Sequence, residues 1–158
     1  MKDKIFEESR RYHLLTIGFL RTIKNNFNMS EAFRLAKESF TNYMIEYYDL
    51  ILFGTNPYSQ ERFDKFRDHY KNAASRNSYL QIIISTPNIL KVHYIRCPFF
   101  EVMKHYDLEE LSSAYCLSDP NFTEVVLPGV RFQRENLISK GDRYCNHTWI
   151  FEEVNQII

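Results

Sequence analysis

The spacing of the apolar residues changes near Asn77, and this change constrains the fold more than any other feature of the sequence. Before Asn77 apolar residues recur every three to four positions, which is typical of helices packed on a core. After it they alternate with polar residues in short runs, which is typical of half-buried strands. The whole pattern predicts an α+β fold, in which N-terminal helices pack on a small antiparallel β-sheet with inserted short helices.

Three helices are predicted before residue 77. The first lies within residues 4–27, and its weak apolar stripe consists of Ile5, Tyr12, Leu15 and Phe19. The second begins at Ser30 as N-cap and ends before Gly54, where a C-cap glycine belongs. Its stripe consists of Phe33, Ala36, Phe40, Tyr43, Tyr47 and Ile51. The third begins at Ser59 and runs to about residue 75.

Two β-hairpins are predicted after residue 77, separated by short helices. Their strands are expected at 79–86, 89–96, 130–138 and 143–152. One short helix should start at Pro98. The next should start at the capping box Asp107–Glu110, and the last at Asp119, which precedes a proline and resembles an N-cap. The 158 residues favour a single domain, with a helical scaffold over 1–77 and a sheet with site-bearing helices over 78–158.

The charge balance narrows the class of partner. The chain has 20 Lys and Arg against 20 Asp and Glu, so its formal net charge is zero. A nucleic-acid binder or a protein that seeks anionic lipid normally carries a basic patch. No apolar run reaches the length of a membrane span, and no signal peptide is visible. We therefore expect a cytoplasmic protein with a small-molecule substrate and neither nucleic acid nor membrane as partner; the oligomeric state is left open.

The three cysteines are an odd number, which argues against a disulfide framework. Cys97 precedes Pro98, so its thiol should occupy a helix N-cap. Unpaired backbone N–H groups and the helix dipole favour an anion there and lower the pKa of a thiol. We expect a reactive thiolate at Cys97; the alternative is a small buried side chain at a strand-to-helix corner. Cys116 should end a helix, where the dipole opposes a thiolate.

Cys145, His147 and Trp149 alternate along the last predicted strand and should share one face. A thiol and an imidazole on one face can form a nucleophile–base pair or supply two metal ligands. The alternative is a sheet face that carries Cys and His without chemistry. Arg134, in the preceding strand, could hold a ligand carboxylate or could be a solvated arginine. The chain has no zinc-finger spacing, P-loop or nucleophile elbow.

Taken together, these motifs resemble the L-2-amino-thiazoline-4-carboxylic acid hydrolase family. The resembling residues are Cys97-Pro-Phe-Phe-Glu-Val-Met, Tyr115-Cys-Leu-Ser-Asp119, Phe132-Gln-Arg134, Leu137, Gly141 and Tyr144-Cys-Asn-His147. The similarity covers about residues 90–150. Where the family pattern has Asp after the last cysteine, this chain has Asn146, which should point away from Cys145. The family is distantly similar to vinyl reductase-type and TRAPP-like ligand-binding domains, which implies a pocket between helices and sheet.

The resemblance implies hydrolytic opening of an aminothiazoline ring to a carbamoylated cysteine. We hypothesise that Cys97 attacks the ring carbon, with Cys145 as the second candidate nucleophile. His147 would transfer protons and Asp119 would orient the imidazole or the attacking water. Arg134, Cys116 and Trp149 would contact the substrate.

Two other functions stay open at this stage. One is a non-catalytic small-molecule-binding or sensor domain that uses the same pocket. The other is a catalytic metal held by Cys and His ligands. We expect no cofactor and no structural metal.

Overall fold

The computed structural model describes residues 3–152 and confirms the α+β fold. Its helices are α1 (Lys4–Tyr12), α2 (Leu14–Asn26), α3 (Met29–Ile51), α4 (Gln60–Arg76), α5 (Pro98–His105), α6 (Glu109–Cys116) and α7 (Asp119–Val126). Its strands are β1 (Leu80–Ser85), β2 (Ile89–Tyr94), β3 (Val130–Gln133) and β4 (Cys145–Phe151). The strands form one antiparallel sheet in the order β1-β2-β4-β3.

Helices α1 and α2 are separate, so the prediction of one helix within residues 4–27 was wrong. The chain leaves helical geometry at His13, which has φ −103° and ψ 16°. This break rotates the apolar face of α2 relative to that of α1. As a result Tyr12 and Leu15, expected to be buried, are 86% and 90% exposed. Residues Ile17, Leu20 and Ile23 of α2 are buried instead.

Helix α3 begins earlier than predicted. Its N-cap is Asn28, whose side chain accepts a hydrogen bond from the backbone N–H of Glu31 at 3.0 Å, and Ser30 lies inside the helix. Ala36 and Phe40 are buried as predicted, but in the second half of the helix the buried face is offset by one position, with Tyr43 and Tyr47 exposed. The residues buried on α3 are Ala32, Ala36, Phe40, Met44 and Tyr48. Helix α4, by contrast, starts where predicted, with Ser59 as its N-cap.

The pairing of β2 with β4 places the predicted site residues beside one another. Cys145 lies opposite Tyr94, His147 opposite Val92, and Trp149 opposite Leu90. These side chains share the face of the sheet that packs against the helices, since successive residues of a strand point to opposite faces. Asn146 lies on the other face, as the alternation predicted.

Strand β3 ends at Gln133, well before the predicted end at residue 138. The strand ends there because the Asn146 side chain takes the backbone hydrogen bonds that continued pairing of β3 with β4 would use. Asn146 Oδ1 accepts hydrogen bonds from the backbone N–H groups of Glu135 and Asn136, at 2.9 and 2.7 Å. The chain then forms a 3-10 helix over Ile138–Lys140 and returns to β4.

One of the three short helices has the predicted N-cap. Cys97 is the N-cap of α5, as expected. The capping box was wrong: Asp107 has a left-handed φ of 57°, and the N-cap Leu108 of α6 has no capping side chain. Asp119 is the first residue of α7 rather than its N-cap. Its carboxylate is therefore free to bond elsewhere.

Two hydrophobic clusters make up the core. The first joins α3, α4 and α7 to the sheet through Phe63, Phe66 and Trp149. The second joins α2, α3, α5 and α6. Tyr115 packs against both clusters. Within residues 3–152, no helix is both long enough and apolar enough to cross a membrane.

Candidate active site

A cavity of about 250 Å³ lies between the helices and the helix-packed face of the sheet. We call it the inner cavity; its lining residues are Ser9, His13, Met44, Tyr48, Tyr70, Tyr79, Tyr94, Cys97, Pro98, Phe99, Tyr115, Cys116, Asp119, Cys145 and His147. Five of the predicted site residues thus face one space, although about fifty positions separate the first from the last. The lining also includes residues from α1, α3 and α4, so the segment before residue 77 is more than a scaffold.

Cys97 occupies the predicted N-cap, but it is not a thiolate. Its Sγ accepts a hydrogen bond from the backbone N–H of Phe100 at 3.4 Å. Burial nevertheless raises the pKa of the Cys97 thiol from 9.0 to about 12. That rise corresponds to about 4 kcal/mol, whereas a helix N-terminus contributes up to about 1 kcal/mol. The prediction of a lowered pKa at Cys97 was therefore wrong.

The other two thiols are also neutral at physiological pH. Burial raises the pKa of Cys116 to about 11, and the nearby Asp119 carboxylate acts in the same direction. Burial raises the pKa of Cys145 more modestly, because the Ile138 N–H and Arg134 oppose it. The Ile138 N–H donates to Cys145 Sγ at 3.1 Å. Cys145 is consequently the thiol with the most support for a negative charge.

Asp119 is the carboxyl group of the inner cavity. Its Oδ2 accepts a hydrogen bond from Arg134 Nη1 at 2.7 Å, and the same nitrogen donates to the carbonyl of Cys116 at 2.6 Å. The Arg134 charge lowers the pKa of Asp119, but burial outweighs it and raises that pKa from 3.8 to about 7. At neutral pH the carboxyl can both accept and donate a proton.

His147 lies next to Asp119 with a free nitrogen. Its Nε2 is 3.8 Å from Asp119 Oδ2, and its Nδ1 is buried without a hydrogen-bond partner within the part of the chain that the structure describes. Burial, assisted by the positive charge of Arg134, lowers the pKa of His147 to about 3. The imidazole is therefore neutral at physiological pH and offers Nδ1 to a ligand.

Two residues expected to contact the substrate lie outside the cavity wall. Arg134 stands behind Asp119, with its side chain 9% exposed, and it binds protein groups rather than a ligand carboxylate. Trp149 is fully buried beneath His147, and its Nε1 donates to Thr123 Oγ1 at 3.2 Å. Both side chains support residues of the wall.

The sequence pattern did not reveal the aromatic part of the lining. Tyr48, Tyr70, Tyr79, Tyr94 and Tyr115 come from five different elements or turns. Tyr48 and Tyr70 share a hydroxyl–hydroxyl hydrogen bond of 3.1 Å. The chain's 11 tyrosines and 13 phenylalanines hinted at an aromatic interior, but composition cannot say which of them meet.

His13 was also missed, because it lies where α1 and α2 separate. Its ring packs edge-on against Phe99 at 4.9 Å and lines the cavity. Over residues 3–152, no group of three or more His, Cys, Asp or Glu side chains is arranged to hold a metal ion.

A comparison with known protein families gives a match that covers most of the chain. Residues 8–149 match the family described as L-2-amino-thiazoline-4-carboxylic acid hydrolase. The chain belongs to this family. The match extends beyond the 90–150 segment that carried the resemblance and includes almost all of the N-terminal helices. Curated proteins give no match to the chain.

Asn146, at the position where the resemblance implies an aspartate, does not face the inner cavity. Asn146 lies on the opposite side of β4, where it holds the backbone of Glu135 and Asn136. The substitution therefore leaves the lining of the cavity unchanged.

Proposed function

We propose that the protein is a hydrolase that opens a small thiazoline-type ring inside the inner cavity. The observation that carries this proposal is the Asp119 carboxyl, which is buried on the cavity wall beside three thiols and an imidazole and has a pKa of about 7. A general acid–base group works best when its pKa lies near the working pH. The family description names the same class of substrate.

Ring opening requires two proton transfers that one such carboxyl can perform. A nucleophile must lose a proton as it attacks the carbon between nitrogen and sulfur, and the ring sulfur must gain one as it leaves. Over the whole reaction the oxygen of water ends on that carbon, the carbon–sulfur bond breaks, and the sulfur leaves as a thiol. Asp119 accepts the first proton and donates it to the sulfur.

Cys145 supplies the nucleophile in this proposal, in place of Cys97. It has a backbone N–H donor at its sulfur, and it lies close enough to Asp119 for the carboxylate to affect its pKa. The bond from Cys145 Sγ to the ring carbon forms as the ring carbon–sulfur bond breaks. Water then attacks the enzyme-bound carbon and releases the Cys145 thiol.

The neighbouring residues hold these groups in place. Arg134 orients Asp119 and keeps its pKa from rising further. His147 is neutral and offers Nδ1 as a hydrogen-bonding group to the ring or to the attacking water. Cys97 and Cys116 complete the wall as neutral, soft contacts for a sulfur-containing ring.

A second function has its own support. All three thiols have raised pKa values, and tyrosines form much of the cavity wall. Such a lining is typical of a pocket that binds a small molecule without reacting with it. The alternative is a non-catalytic binding or sensor domain that uses the inner cavity.

Turnover of 2-aminothiazoline-4-carboxylate by the purified protein, followed by mass spectrometry of the carbamoylated product, tests the proposal. We expect Asp119→Asn and Cys145→Ser to lower kcat by roughly 100-fold or more. The matched control is Asp68→Asn, an exposed carboxylate on α4. Cys97→Ser tests the other candidate nucleophile. Loss of activity in Cys97→Ser but not in Cys145→Ser would show that Cys97 is the nucleophile.

Two further measurements separate the alternatives. Tight binding of the ring in calorimetry without any product would replace the hydrolase by the binding domain. Dialysis against a chelator should leave turnover unchanged. Loss of turnover that zinc restores would replace thiol attack by a metal-bound water.

A further inference from the structure

A larger groove adjoins the inner cavity. It has a volume of about 780 Å³ and shares Ser9, His13, Tyr79, Pro98, Phe99 and Tyr115 with the cavity lining. We call it the outer groove; its remaining lining residues are Ile5, Glu8, Tyr12, Leu15, Thr16, Phe19, Ser39, Phe40, Tyr43, Arg76, Asn77 and Ser78. The six shared residues place the two spaces next to each other.

The outer groove is bordered by apolar side chains that the protein leaves in water. Leu15 is 90% exposed, Tyr12 is 86% exposed and Tyr43 is 57% exposed. Single exposed apolar residues are ordinary, but a cluster around the mouth of a cavity marks a binding surface. Covering such side chains stabilises a complex because it removes apolar surface from water.

The charged side chains differ between the inner cavity and the outer groove. Of residues 3–152, no lysine or arginine lines the inner cavity, which instead contains the Asp119 carboxyl. The outer groove contains Arg76, whose Nε donates to the carbonyl of Asn72 at 3.1 Å. Arg76 has no ion-pair partner among the described residues, whereas Glu8 on the same groove faces Lys4 at 3.8 Å. An anionic group of a ligand is therefore favoured in the groove rather than beside Asp119.

We propose that the substrate spans both spaces, with its ring in the inner cavity, an apolar body along the outer groove and a carboxylate near Arg76. The matching chemical class is a thiazoline ring whose 4-carboxyl is joined as an amide to an apolar amino acid. This assignment rests on the proposed function for the ring. The apolar body and the terminal carboxylate follow from the groove alone.

Binding of non-hydrolysable analogues tests the groove separately from catalysis. The series consists of 2-aminothiazole-4-carboxylate and its amides with glycine, leucine and phenylalanine, because the aromatic thiazole ring resists opening. Calorimetry on the wild-type protein should show Kd at least tenfold lower for the leucine and phenylalanine amides than for the glycine amide. Equal Kd values across the series would overturn the proposal.

A pair of variants on α2 checks where the apolar body lies. Leu15→Glu places a charge in the groove, and we expect it to reduce the advantage of the leucine amide over the glycine amide to less than twofold. Leu14→Glu adds the same charge to the neighbouring position, which is 58% exposed and outside the groove lining, and should keep the advantage. An equal loss in both variants would contradict the assignment.

A second pair checks the carboxylate. Arg76→Gln should raise the Kd of the leucine amide at least fivefold. It should not change the Kd of a further analogue, in which the carboxylate of the leucine is replaced by a neutral amide. Lys71→Gln removes a charge from the same helix outside the groove and should change neither. Turnover of the simple ring without any preference for long amides would overturn this proposal and leave the hydrolase intact. Tighter binding of the leucine and phenylalanine amides without any turnover would support the groove and overturn the hydrolase.

Discussion

Arg134 Nη1 donates a hydrogen bond to Asp119 Oδ2 at 2.7 Å, and more than nine-tenths of each side chain is buried. The pair connects the first residue of α7 to the chain just after β3. It presents a carboxyl to the inner cavity while the guanidinium remains behind it. Burial and ion pairing act on this carboxyl in opposite directions, which gives Asp119 a pKa in the physiological range.

Removing Arg134 should therefore change both stability and pH dependence. We expect Arg134→Gln to destabilise the protein by about 3 kcal/mol or more, because it leaves a buried carboxyl without its charged partner. The pKa of Asp119 should rise further, so the acidic limb of kcat/KM against pH should move to higher pH. Urea denaturation and a pH–rate profile measure the two effects.

The matched control for this change is Arg131→Gln. Arg131 pairs with Glu152 at 2.9 Å, but both side chains are at least half exposed. An exposed ion pair contributes at most about 1 kcal/mol. A similar loss of stability in both variants, with no movement of the pH profile, would show that Arg134 does not act on Asp119.

Asp119 and His147 should make opposite contributions to the pH dependence of stability. Burial lowers the pKa of His147 from 6.5 to about 3, so between these values the unfolded chain binds the extra proton and stability falls as the pH falls. Burial raises the pKa of Asp119 from 3.8 to about 7, so the folded protein binds the extra proton and stability falls as the pH rises. Between about pH 4 and 6.5 the two slopes oppose each other.

Single variants should reveal each slope. Relative to the wild type, we predict that the stability of Asp119→Asn rises with pH in this window by up to about 1.4 kcal/mol per pH unit. That of His147→Gln should fall with pH by a similar amount. Urea denaturation at several pH values measures both. Parallel curves for the wild type and both variants would mean that neither group titrates as described.

The three thiols should differ in their reaction with an alkylating agent. Burial raises all three pKa values, so each should react more slowly at neutral pH than an unfolded cysteine. We expect Cys145 to react first, because the backbone N–H of Ile138 supports its charge, and Cys97 to need a strongly alkaline pH. Peptide mapping after iodoacetamide treatment over a pH series measures this order, with the urea-unfolded protein as control. Fast alkylation of Cys97 near pH 7 would be incompatible with its burial.

Asn146 should stabilise the loop after β3 without taking part in catalysis. We predict that Asn146→Ala costs about 1–3 kcal/mol, because two backbone N–H groups lose their acceptor. Asn146→Asp keeps that acceptor but places a charge beside Glu135, whose Oε2 now accepts from Asn146 Nδ2 at 3.2 Å. Asn146→Asp should lower the free energy of unfolding by less than Asn146→Ala does. Adding Glu135→Gln to Asn146→Asp should restore the wild-type stability, because it removes the neighbouring charge. Changed turnover in Asn146→Asp at unchanged stability would contradict a structural role.

The amino-acid sequence by itself determined the class of fold and most of the order of its elements. The change of apolar period near Asn77 indicates helices before it and the start of the sheet after it, because each period can bury only one kind of surface. The alternation of Cys145 and His147 placed them on one face of β4, and Pro98 placed Cys97 at a helix N-cap. These are local properties, which neighbouring residues decide without reference to the rest of the chain.

Tertiary structure decided what those residues can do. The thiol at Cys97 has the predicted N-cap position but the opposite pKa shift, since burial by distant helices outweighs the local dipole. Arg134 was predicted to contact a ligand but instead pairs with Asp119, because the fold brings α7 beside the end of β3. The tyrosines that wall the cavity come from separate elements, and a one-residue shift of the buried face of α3 selects Tyr48 over Tyr47. Such outcomes depend on which surfaces pack together, and that information is distributed over the whole chain rather than held in any one motif.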